Sequence, residues 1–260
     1  MNMKLFKSAV NTKRTPVLFL NGAYCNSKIW EENYLDYYLE NGFNCYTLDY
    51  ENHSKATIDD YVQQVLACIE QIGEVPVIVA HSMGAGVIQK LYAEHKVEFP
   101  AWVLMAPIPP RGYRNTVNAI GATSLSLSVG LCKMQTFGKK YASEETLKYV
   151  LFSSKYDDRS VKPYVDMICD MPASVAKSAN NLHIENEDLQ VGFPVFLQAA
   201  KRDVLVSETC MNTCRATYKV PVTQYNCGHA IMLDHQWERA AKDSVKFINQ
   251  HVELKISDVA

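Results

Sequence analysis

The sequence predicts an α/β domain on a mostly parallel central sheet flanked by helices and interrupted once by a helical insertion. Three observations carry this. Short apolar runs alternate with stretches of helical periodicity. The runs are apolar at successive positions, as strands covered on both faces must be. The alternation lapses between about Arg111 and Gly192 and then resumes. Strands alternating with helices give parallel pairing through right-handed crossovers.

The first strand is read at 16–22, an apolar run ending in Gly22, followed by a helix over 29–40 closed by Gly42. A second strand is read at 44–50. Thr57 and Asp60 have the spacing of a capping box, and the helix they open keeps Ile58, Tyr61, Val62, Val65, Leu66 and Ile69 on one face up to Gly73. Residues 75–80 give the third strand, with a helix from Gly86 to Ala93. Residues 102–106 give the fourth, stopped by Pro107 and the Pro109–Pro110 pair. After the interruption come strands at 194–200 and 220–225, with a helix at about 207–217 between them. A closing helix carries Trp237, Ala241, Val245 and Ile248 on one face. The core is therefore read as 1–110 with 193–260, and 111–192 as an inserted helical cap. Within the cap, 119–132 is rich in small residues and Leu, while 144–154 and 160–170 have helical patterns.

Composition narrows the function. The 260 residues carry 26 Lys plus Arg against 28 Asp plus Glu. That balance gives no basic field for nucleic acid or an anionic membrane surface. No run is long enough for a membrane span or a secretory signal. The eight cysteines are scattered, and only Cys210 and Cys214 are close, with no histidine at finger spacing. They read as free thiols in a reducing, cytoplasmic setting, and no metal site is expected.

The segment that carries chemistry is Ala80-His81-Ser82-Met83-Gly84-Ala85-Gly86, at the junction of the third strand and its helix. A nucleophile elbow needs small flanking residues, because its sharp turn presses against neighbouring elements. The competing reading is a serine N-cap at an ordinary strand-to-helix turn. A serine hydroxyl becomes nucleophilic only when a histidine takes its proton, and that imidazole needs an acid to fix its tautomer. Asp203 lies just past the strand at 194–200 and His229 just past the strand at 220–225. Order and placement thus suit a triad at the carboxyl edge of the sheet. Asp188 replaces Asp203 only if the strand is misplaced.

Two backbone N–H groups are needed for a developing oxyanion. Met83, after the serine, supplies one. Ala23, in the loop Leu20-Asn21-Gly22-Ala23-Tyr24, is read as the other, with Tyr24 as its fallback. Tyr24 and His53 are candidate pocket residues. His81 is read as packing beside the serine, and the remaining histidines as solvated or packed.

On these residues the chain resembles the α/β-hydrolase superfamily, most closely its small esterase and lysophospholipase-like members. Leu20-Asn-Gly-Ala23 stands where that family has His-Gly-x, and Ala80-His-Ser-Met-Gly84 where it has Gly-His-Ser-Met-Gly. The residues 106–112 look like the strand end before its lid. The resemblance implies a mostly parallel sheet, a helical cap over the site and no cofactor. Asn21 in place of His, Ala80 in place of Gly, and the glycine-free 49–54 loop depart from the pattern.

The expected activity is hydrolysis of a small-molecule carboxylic ester through an acyl-enzyme. Thioester hydrolysis, C–C bond hydrolysis and perhydrolysis use the same triad. A non-catalytic ligand-binding protein of this fold is the alternative of another class. Met134, Tyr141, Tyr149, Phe152 and Tyr156 either roof an acyl site or pack the cap's own core.

Overall fold

A computed structural model describes residues 2–10, 14–112, 129–130, 133, 141, 143–152 and 162–252. It contains a seven-stranded sheet in the order β1-β3-β2-β4-β5-β6-β7. The strands are β1 (Asn2–Phe6), β2 (Val17–Leu20), β3 (Cys45–Asp49), β4 (Val77–His81), β5 (Trp102–Met105), β6 (Val195–Ala200) and β7 (Val222–Tyr225). All neighbours are parallel except β1, which runs antiparallel to β3 along the sheet edge. β1 was not anticipated: its residues are half exposed and lack a continuous apolar run. The central strands β2, β4 and β5 are buried at every position, as their sequences predict.

The helices are α1 (Lys28–Glu31), α2 (Tyr34–Glu40), α3 (Ile58–Ile72), α4 (Met83–His95), α5 (Glu144–Phe152), α6 (Lys162–Val165), α7 (Ala173–Asn180), α8 (Glu208–Tyr218) and α9 (Trp237–His251). Thr57 and Asp60 form the capping box of α3, and Gly73 closes that helix at φ 80°. α3 packs on α4, and α2 on α9. The aromatic core includes Trp30, Tyr34, Tyr38 and Trp102, all fully buried.

Two expected helices are shorter than their patterns. The 29–40 helix breaks at Asn33, whose φ of −140° is not helical. The break lets Trp30 pack on Phe19, at 5.0 Å between ring centroids, while Tyr38 packs on the same ring at 5.1 Å. Within the described part of the 160–170 pattern, α6 ends at Val165, because the chain then extends to pair Ile168 with Cys25. Most of 119–132, together with Met134 and Tyr156, lies outside the described residues. α7 and a 3-10 turn at Asn186–Leu189 were not anticipated.

Among the described residues, five non-glycine residues have positive φ. Lys96 and Lys219 close helices in the left-handed conformation. The other three, Tyr24, Ser82 and Ala106 (φ 59°, 52° and 42°), follow β2, β4 and β5, neighbours in the sheet. Such residues each cost about 1–3 kcal/mol and persist where the surroundings over-determine them. Strain is therefore concentrated at the carboxyl edge of the central strands.

Candidate active site

Ser82 stands between β4 and α4 at φ 52° and ψ −115° and is 7% exposed. Its N–H donates to the Met105 carbonyl at 3.0 Å, and its own carbonyl accepts from Ala85 (3.1 Å) and Ile108 (3.2 Å). The strained turn is thus tied to β5 and its following loop. Gly84 shows why small residues are needed here. A Cβ on it would lie 2.6 Å from the Leu20 carbonyl oxygen and 2.7 Å from that of Asn21. Both are backbone atoms that cannot step aside. Gly84→Ala is expected to cost about 1–3 kcal/mol by overpacking. Urea denaturation checks this, and an unchanged midpoint would refute the close approach.

His229 and Asp203 meet as a buried pair. His229 Nδ1 lies 2.7 Å from Asp203 Oδ2, and their side chains are 4% and 1% exposed. The second carboxylate oxygen, Oδ1, accepts the Leu205 and Val206 N–H groups, each at 2.8 Å. The acid is therefore aimed at the imidazole by its own loop. That loop is continuous with β6, and the His229 loop with β7, and the two are stitched by Lys201 N–H to Tyr225 O (2.8 Å) and Arg202 N–H to Cys227 O (3.1 Å). Asp188, by contrast, sits in the 3-10 turn opposite Lys96 at 3.7 Å.

The backbone around His229 is held from three directions. Gly228 N–H donates to Asp234 Oδ2 (2.7 Å), Ala230 N–H to the Leu151 carbonyl (2.9 Å), and the His229 carbonyl accepts from His81 Nε2 (3.1 Å). Sequence reasoning missed Asp234 and Leu151. Asp234 is 1% exposed after the apolar run Ile231-Met-Leu233, and a carboxylate in such a run signals a loop closing on itself. Leu151 acts through its carbonyl, which leaves no side-chain signature. Gly228 is required beneath it, because a Cβ there would come within 2.4 Å of the Phe152 backbone.

Burial, with the nearby His229 second, holds the His81 imidazole well below the usual histidine range, against the opposing bond to the His229 carbonyl. An unfolded His81 takes up a proton below about pH 6.5. The folded one does so only at lower pH, so the unfolded state binds more protons in that window and stability falls as pH drops through it. In His81→Gln that loss is expected to be shallower by up to about 1.4 kcal/mol per pH unit. Denaturation midpoints of both proteins from about pH 7 to about pH 5 check it, and parallel curves would refute it.

The loop after β2 approaches the elbow directly. A Cβ on Gly22 would lie 3.2 Å from Ser82 Cβ and 2.8 Å from His81 Nδ1. Ala23 follows at once, and Met83, as the first residue of α4, has an N–H without an intrahelical partner. Asn21 anchors the loop: its Nδ2 donates to the Leu48 carbonyl (2.9 Å) and its Oδ1 accepts from Trp30 Nε1 (2.7 Å). The Tyr24 carbonyl accepts the Cys169 N–H at 2.8 Å. The Tyr24 hydroxyl is buried without a partner among the described residues, and burial pushes it up to about 12. Burial likewise pushes the Cys25 thiol up to about 12, which leaves it a poor nucleophile. His53 lies apart from this network. It is largely exposed and faces Asp60 at 3.3 Å.

A small cavity is lined by His81, Ala230 and Leu233 together with Leu151, Tyr164 and Met167. Residues from the segment between β5 and β6 therefore wall the space beside the His229 loop.

Residues 17–243 match the model of the Alpha/beta hydrolase family. The chain belongs to that family. Solved alpha/beta hydrolase structures superpose over nearly all of it. A bromoperoxidase-like protein of Mycobacterium tuberculosis H37Rv gives a TM-score of 0.77 at 20% identity, covering 96% of each chain. A thermophilic esterase of Thermogutta terrifontis gives 0.75 at 13%, covering 96% of this chain and 94% of that one. A monoacylglycerol lipase of Paleococcus ferrophilus gives 0.69 at 15%, covering 96% and 100%. At these identities the likeness is one of fold. Over 110 residues the chain is 31% identical to a haloperoxidase-like protein of Mycobacterium phage D29, a stretch of 38% of this chain and 39% of that protein. Among the described residues, no helix is long and apolar enough to cross a membrane.

Proposed function

We propose that this alpha/beta hydrolase is a serine esterase that cleaves a small-molecule carboxylic ester through an acyl-enzyme. The observation that carries the reading is the buried 2.7 Å contact of His229 Nδ1 with Asp203 Oδ2, together with a serine at positive φ on the turn after β4. Asp203 accepts a hydrogen bond from Nδ1–H and leaves Nε2 as the base. His229 takes the Ser82 proton as Oγ attacks the ester carbonyl, and returns it to the departing alcohol. The Met83 and Ala23 N–H groups hold the oxyanion. Water activated by His229 then releases the acid.

Residues 111–192 act as a cap in this reading, and Tyr24 lines the pocket. Support for the cap comes from Leu151, Tyr164 and Met167, which face the cavity beside the His229 loop. His53 has its own partner and takes no part. Cys25, Cys45, Cys68, Cys214 and Cys227 are free thiols, which fits a cytosolic setting.

The test is turnover of p-nitrophenyl esters of increasing acyl length, beside Ser82→Ala. Turnover lost in the variant supports the esterase, and its optimum sizes the acyl site. Turnover kept in the variant overturns it. The likeness to haloperoxidase-like proteins favours one second reading, in which the acyl group passes to hydrogen peroxide. Peracid formation in the same assay with added peroxide separates the two.

A further inference from the structure

His81 occupies a position that the mechanism above does not use. It precedes the nucleophile in the chain and is 2% exposed. One ring nitrogen, Nε2, faces the His229 carbonyl at 3.1 Å, and the two imidazole rings lie 4.6 Å apart at 53°. The carbonyl is an obligate acceptor, so Nε2 carries the hydrogen, and burial disfavours a second proton on the ring. The other nitrogen, Nδ1, is buried with no partner among the described residues, against Gly22, where a Cβ would come within 2.8 Å of it. One side chain thus touches the elbow, the loop after β2 and the His229 backbone.

We propose that His81 is a positioning residue for His229, holding the base against the elbow through the Nε2–H to carbonyl bond. The proposal rests on the reading of Ser82 and His229 as nucleophile and base. The elbow and the His229 loop lie far apart in sequence, and proton transfer between them needs their spacing held to a fraction of an ångström. The Asp203 contact fixes the tautomer and direction of the His229 ring. It does not fix where the main chain of that loop stands relative to β4. The bond from His81 does so, because His81 is itself the last residue of β4.

Neutrality of His81 belongs to the same role. When His229 takes the Ser82 proton, an imidazolium forms beside this ring. A second positive charge in that apolar setting would oppose the transfer. Burial keeps His81 well below the usual histidine range, so near neutral pH the bond donor is present and the charge is not.

Three substitutions separate positioning from packing. Glutamine places its amide nitrogen the same number of bonds from Cα as Nε2 and restores the donor. Asparagine places it one bond short, at the Nδ1 position facing Gly22. Phenylalanine fills the space without a donor. The readouts are the rate of Ser82 labelling by a fluorophosphonate and the downfield proton resonance of the His229 Nδ1–H bonded to Asp203. His81→Phe and His81→Asn are expected to label roughly 10- to 100-fold more slowly, the range associated with sub-ångström to ångström misplacement. They are also expected to lose or broaden the resonance. His81→Gln is expected to recover most of both.

A His81→Phe protein that labels at the wild-type rate with its resonance intact overturns the proposal. So does His81→Gln when it is no better than His81→Phe or His81→Asn. If His81→Phe fails to fold, the contrast between Gln and Asn decides. A wild-type chain that resists the label overturns the esterase reading instead. The resonance in the three variants then decides whether His81 holds His229.

Discussion

Ser82→Ala is expected to lower kcat for ester hydrolysis by about 10⁴- to 10⁶-fold, the scale seen when a serine nucleophile is removed from an intact triad. The fold should survive. The backbone bonds of Ser82 to Met105, Ala85 and Ile108 do not involve its hydroxyl. Alanine meets the same positive φ, so the strain at the elbow is unchanged in kind. Residual activity would come from the Met83 and Ala23 N–H groups and from substrate binding. The check pairs kcat with a denaturation midpoint. A large loss of kcat at an unchanged midpoint assigns the nucleophile, and retention of most activity rejects it.

Asp203→Asn is expected to cost about 10⁴-fold in kcat, because it turns the histidine to the wrong tautomer. Asparagine keeps one carbonyl oxygen for the Leu205 and Val206 N–H groups, so the loop retains its anchor. Its amide then presents N–H to His229 Nδ1, which must accept and so loses its hydrogen to Nε2. Nε2 in that state cannot take the Ser82 proton. Because both side chains are almost fully buried, water does not rescue the pair. kcat against pH, measured beside the wild type, checks this. A loss of less than about tenfold would place the acid elsewhere.

Much of this site was legible because its signals are local. Gly84 and Gly86 follow Ser82 in one short segment, and a Cβ on either would meet close neighbours, the Leu20 and Asn21 carbonyls at Gly84 and the Ile108 side chain at Gly86. Asp203 and His229 were legible by their place after successive strands, since a parallel sheet sends every such loop to one edge. His53 was read as a pocket residue near the same edge, yet its side chain faces Asp60. Placement after a strand brings a residue to the edge without choosing the direction of its side chain.

The fold divides the same way. Continuous apolar runs and helical periodicity determined six strands, the capping box at Thr57 and the interruption after β5, because burial on two faces or on one stripe writes itself into the order of residues. β1 escaped that logic: an edge strand buries little, and antiparallel pairing to β3 supplies its stability. The break at Asn33 and the early end of α6 were decided by contacts far away in sequence, the packing on Phe19 and the pairing of Ile168 with Cys25. Tertiary structure alone brought Leu151 and His81 to the His229 backbone, beside the local contact of Asp234. Two of these three contacts are received by or made from main-chain carbonyls, which every residue carries alike. A sequence specifies the groups that differ from residue to residue, and the fold decides which of the common ones meet them.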